Sequence, residues 1–189
     1  MKVGKRALAL TILLAAANIA GVPCLAAAEP ATLSFPGKAR SALSPSGRYE
    51  VRIAKVTGLS DAPTYRLRLN DLRHHTHKDI ATFERSVALT WRTGGEGFFL
   101  NQYSASNYAD CAVAMPNERT PLRSLMAPTA AQGELGITET VTNSHYYVEC
   151  LAWNGPNEVR VRVYGHHDDD GKDFAYALKY DVRTRLLSQ

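Results

Sequence analysis

Residues 159–165 read VRVRVYG, the most regular alternation in the chain. Val159, Val161 and Val163 fall on one side of an extended backbone, Arg160, Arg162 and Tyr164 on the other. A period of two built from β-branched residues specifies a strand with one apolar face and one wet face. The same signature recurs outward from it. YEVRIAKV at Tyr49–Val56 and YRLRL at 65–69 alternate in the same way. Further strands are expected at 87–91, 97–103, 109–115, 146–153, 158–164 and 174–182, with Gly, Pro, Asn or Asp between them. Helical periodicity is nearly absent, so the chain is expected to be all-β, an antiparallel meander.

These strands repeat. Superposing Trp91 on Trp153 aligns LTWRTGGEGFFLNQY with LAWNGPNEVRVRVYG, an offset of 62. Superposing Asp71 on Asp181 aligns LRLNDLRHHT with ALKYDVRTRL, an offset of 110. SPSGRYEVRI at 44–53 is a third copy of the turn-then-strand half. The chain therefore divides into about three degenerate units, each a turn, a strand, a loop, a strand ending near Asp, and another strand.

SPSGRYEVRI and YRLRLNDL resemble the WD-like β-propeller repeats of secreted bacterial proteins, in which a Ser-Pro-Asp-Gly turn opens a strand. Here the third turn residue is Ser46 instead of Asp. The resemblance implies blade-like units and no particular activity, because propellers host enzymes and binding scaffolds alike. Closed propellers need at least about four blades. With three units, the alternatives are an open propeller-like arrangement, a sandwich of related hairpins, or a ring completed by a second copy.

The N-terminus reads as a cleavable export signal. Lys2, Lys5 and Arg6 precede the apolar run ALALTILLAAANIA, then Gly21 and Pro23 break it before Leu25-Ala26-Ala27-Ala28. The expected cut follows Ala28. Pro23 before Cys24 argues against lipidation, and the run is too short and wrongly flanked for a retained membrane span. The expected organisation is a signal at 1–28, an irregular lead at 29–42, and one β domain at 43–189 with a long loop at 116–144. Beyond the cut, 19 Lys and Arg face 18 Asp and Glu, and no basic patch interleaved with aromatics remains. Nucleic acid is excluded as the expected partner. Cys111 and Cys150 are left as an even pair in an oxidising compartment and are expected to form a disulfide.

Candidate chemistry is sparse. His74, His75 and His77 form the HHTH cluster; on one strand His75 and His77 would share a face and a metal ion. A second cluster, HHDDDGKD at 166–173, falls in a different turn that should lie at the opposite end, so no joint site and no metal ion are expected. DDDGKD departs from a calcium loop at both ends and reads as a turn. GxSxG, HExxH, GxxxxGK[ST] and SxxK are all missing from the chain, and no catalytic residue or cofactor is assigned. In GFFLNQYSASNYADC at 97–111, Phe98 and Leu100 should share one face, Phe99 and Asn101 the other. Tyr103 and Tyr108 flank a Ser-Ala-Ser-Asn connection ending in Asn107, and Tyr103, Asn107 and Tyr108 are the candidates for partner binding. The expected function is an exported, non-catalytic binding module for a protein or cell-envelope component. A metal-binding protein using the His-rich turns and a hydrolase with an unrecognised site are the alternatives.

Overall fold

A computed structural model describes residues 31–56, 63–106, 108–126 and 145–189. The expected leader, its cut after Ala28, Asn107 and most of the long loop lie outside the described residues. The all-β expectation holds. The strands are β1 Thr32–Phe35, β2 Ser41–Leu43, β3 Tyr49–Val56, β4 Thr64–Asp71, β5 Thr76–Phe83, β6 Ser86–Trp91, β7 Phe98–Ala105, β8 Tyr108–Met115 and β9 Glu118–Pro121. A short helix, α1 Leu122–Met126, separates these from β10 Tyr146–Asn154, β11 Glu158–His166, β12 Asp173–Asp181 and β13 Leu186–Ser188.

Pairing follows chain order within three four-stranded meanders, β2–β5, β6–β9 and β10–β13. The first is a sheet of its own. The second and third join in one nine-stranded sheet through a two-residue parallel pairing, Tyr146 with Tyr108 and Tyr147 with Ala109, so the architecture is not purely antiparallel. Strand β1 adds antiparallel to β6. Both sheets end in open edge strands among the described residues.

Turn chemistry explains the repeat. Each meander turns its first hairpin on a glycine with φ near +70°, Gly47, Gly94 and Gly155, a backbone conformation that a side chain resists. The Asp71/Asp181 offset marks a second shared turn. Asp71 Oδ1 accepts from the amides of Arg73 and His74, and Asp181 Oδ1 from those of Arg183 and Thr184. Both turns close with a left-handed residue, His75 at φ 53° and Arg185 at φ 62°.

Two cores result. Strands β3 and β4 bury Val51, Ile53, Leu67 and Leu69 against Val87, Leu89, Trp91, Phe98 and Leu100 of β6 and β7. The opposite face of β7 and β8 supplies Phe99, Cys111 and Val113 to a second core with Val148, Val159, Val161, Val163, Leu178 and Tyr180. The middle meander is thus buried on both faces, and Phe98 and Phe99 do enter different cores as the alternation required. Each fully buried aliphatic side chain contributes about 1.5–3 kcal/mol. Cys111 and Cys150, their Cα atoms 5.7 Å apart, link β8 to β10 as a disulfide inside the second core. Trp91 is fully buried, whereas Trp153 is half-buried, packs on the second core and donates its indole N–H to the Thr90 carbonyl.

Three expectations need correction. The lead at 29–42 is not irregular: β1 lies within it and sends Leu33 and Phe35 into the first core. The loop at 116–144 begins with β9 and α1, and Leu122 is fully buried in the second core. Strand β5, Thr76–Phe83, is absent from the expected strands, while the histidine turn itself stands at 72–75 with only His77 on the strand. A bulge opposite Leu67/Arg68 sets an extra residue into β5 and resets its alternation, so the sequence period fails there. The same defect in β10 makes Leu151 the extra residue and leaves it 49% exposed. No described helix is long and apolar enough to cross a membrane.

Candidate binding cleft

The strand registers put the turns at 44–48, 72–75, 92–97 and 116–117 at one end of the first and second meanders. Between them opens a cleft of about 620 Å³. Its polar wall is built around Asp71. The β2–β3 turn is fixed by Ser44, whose hydroxyl accepts from the Tyr49 amide, and this delivers Arg48 beside Asp71. Arg48 Nη2 lies 3.1 Å from Asp71 Oδ2, and its Nη1 lies 3.3 Å from Glu96 Oε1 on the β6–β7 turn. His74 Nδ1 lies 2.9 Å from Asp71 Oδ2. The His74 ring and backbone amide, with the Arg48 guanidinium, hold the Asp71 carboxyl well below the usual carboxylate range. The Asp71 hydrogen bond in turn raises Arg48. Burial is the first cause of the raised Tyr49 phenol on the same wall. Glu118, across the cleft, pairs with Arg185 of the third meander at 2.7 Å. Arg92 Nη1 donates to the Pro156 carbonyl at 2.8 Å, a second tie to the third meander.

His74 and His77 line this cleft; His75 is not among its lining residues. The condition under which His75 and His77 would share a face is not met, because His75 sits in the turn with positive φ and only His77 is on β5. Among the described residues no group of three His, Cys, Asp or Glu side chains is placed to hold a metal ion. The 166–173 cluster lies at the opposite end, on the β11–β12 connection, where His145 and His166 stack at 4.6 Å and Lys172 pairs with Asp170.

Tyr103 and Tyr108 are divided between two environments. Glu149, 8% exposed, accepts from Arg162 Nη2 at 2.7 Å and from the Tyr164 hydroxyl at 3.0 Å. Tyr103 stands against the same carboxylate, and burial followed by the Glu149 charge pushes its phenol up to about 12. Tyr147 stacks on Tyr164 at 5.0 Å and donates to the Ser106 carbonyl. Tyr108, 37% exposed, lies instead under the Arg123 guanidinium, which also covers Tyr146.

One structural polar residue has no counterpart among the sequence candidates. Asn101, 7% exposed, donates to the Cys150 carbonyl and accepts from the Cys150 amide, both at 2.9 Å. Its amide stands in for a neighbouring strand where β10 has left β8. The only sequence signal was a polar residue inside the apolar run FFLNQY.

Comparison with known proteins finds no matching family model, no matching curated protein and no matching solved structure.

Proposed function

We propose that this chain is an exported, non-catalytic binding module that takes a protein or cell-envelope partner at the cleft between its first two meanders. The observation that carries the reading is the cleft itself, whose acidic groups are held in ion pairs, two of which reach between meanders. A surface held in one arrangement before contact loses less freedom on binding. Asp71 accepts from two backbone amides and is held by Arg48 and His74, which suits a structural anion and leaves it a poor general base. Export is supported by the leader pattern and by the Cys111–Cys150 disulfide, which belongs to oxidising compartments. The shared turns of the three meanders support reading them as degenerate blade-like units in an open stack.

The test is capture from cell-envelope extract by the wild-type chain and by Thr76→Trp and Asn117→Trp, which place bulk in the cleft. A partner retained by wild type and lost by both variants supports the reading. Partners retained equally by all three chains would move binding off the cleft.

A further inference from the structure

We infer that the cleft recognises an acidic segment of a protein partner, with Lys78 receiving a carboxylate; this rests on the proposed use of the cleft. The cleft's acidic groups are already engaged within the chain. Asp71 and Glu96 hold Arg48, and Glu118 holds Arg185. Lys78 is the exception among the lining cations. It has no ion pair among the described residues and is half-buried.

Register explains its position. Lys78 is the cross-strand partner of Leu69, and directly opposed residues share a face. Leu69 belongs to the first core, so the Lys78 stem runs along the core-facing side of β5 and its ammonium reaches the cleft where that core ends. An ammonium at the cleft with no ion-pair partner among the described residues is available to an incoming anion.

The surroundings select the kind of anion. Thr76 and Asn117 add hydrogen-bond donors, while Leu69, Met115 and Pro116 add apolar surface for side-chain methylenes. An Asp or Glu side chain on a peptide fits all of these; a phosphate-rich surface does not.

The experiment follows backbone amide shifts of the isotope-labelled chain on titration with acetyl-tetraglutamate amide, acetyl-tetraglutamine amide and inorganic phosphate. The expected result is saturable shifts at Thr76, Lys78 and Asn117 with tetraglutamate. Binding should be at least tenfold weaker for tetraglutamine, for phosphate, and for Lys78→Met, and should persist in Lys78→Arg. Equal binding of tetraglutamine or phosphate, unchanged affinity in Lys78→Met, or no saturable shift at these residues would overturn the inference. Thr76→Trp separates the two levels. If it abolishes envelope capture while Lys78→Met leaves capture intact, the cleft stands and the acidic ligand falls.

Discussion

At the residue scale, two polar side chains carry stability that no apolar pattern announces. Asn101 satisfies both backbone groups of Cys150 in a buried position. Removing it strands a buried donor and a buried acceptor, at about 1–3 kcal/mol each. Asn101→Ala should therefore lower unfolding stability by about 2–4 kcal/mol, measured by urea denaturation. Gln102→Ala, on the half-buried neighbour, should change it far less, and equal losses at the two positions would remove the strand-surrogate role. Asp71 is predicted through its titration. Its folded carboxyl is more acidic than the ordinary value of 3.8, so the unfolded chain binds the proton first. Its contribution is complete above that ordinary value and disappears as pH falls through the lower, folded one. Asp71→Asn should therefore be less stable than wild type at neutral pH, with the gap narrowing only in acid. A gap independent of pH down to the acid limit would show that the charge of Asp71 is not what stabilises the turn. Of the cleft, the HHTH cluster was visible in sequence, but its use was misplaced. The residues that organise it, Arg48 and Asp71, come from turns 23 positions apart and meet only through the β3–β4 register.

At the element scale, legibility tracked strand length and turn chemistry. The long strands β3, β4, β11 and β12 were readable because each keeps its period through most of its eight or nine residues, and β7, buried on both faces, was readable from its aromatic run. Strands β1, β2, β9 and β13 have only three or four residues, fewer than two full periods can declare. Strand β5 has eight residues but carries a bulge and a polar Lys78 on its core-facing side, so its alternation is broken where it needed to be read. The DLRHH and DVRTR turns were more informative than any strand, since Asp caps two amides and the last residue adopts positive φ in both. That conformation makes a prediction at His75. A β-branched residue there meets the left-handed penalty, so His75→Val should destabilise by about 1–2 kcal/mol. His75→Gly should stay within about 0.5 kcal/mol of wild type, relief of strain offsetting added chain freedom. Thermal unfolding of both variants checks this, and a valine no worse than glycine would contradict the turn assignment.

At the scale of the whole molecule, three meanders stack so that only the middle one is covered on both faces. The outer face of the first carries Arg52, Arg66 and Arg68 against Asp79 and Glu50; that of the third carries Arg160, Arg162 and Lys179 against Glu149, Glu158 and Asp181. The Cys111–Cys150 bond holds the second meander to the third, and no such bond ties the first to either among the described residues. Closing a loop of 39 residues stabilises by about 4 kcal/mol on the chain-entropy model. Reduction should remove about that much, and its effect should be unequal along the chain. The first core, between β3–β4 and β6–β7, does not contain either cysteine. The second core contains both. Amide exchange after reduction should accelerate most in β10–β13, where Val148, Val159 and Val161 lose the tether to β8. Amides of Val51, Ile53, Leu67 and Leu69 should keep more of their protection, because the contacts that bury them remain. Equal acceleration in all three meanders would mean that the stack unfolds as one cooperative unit, with the disulfide stabilising the whole instead of one joint within it.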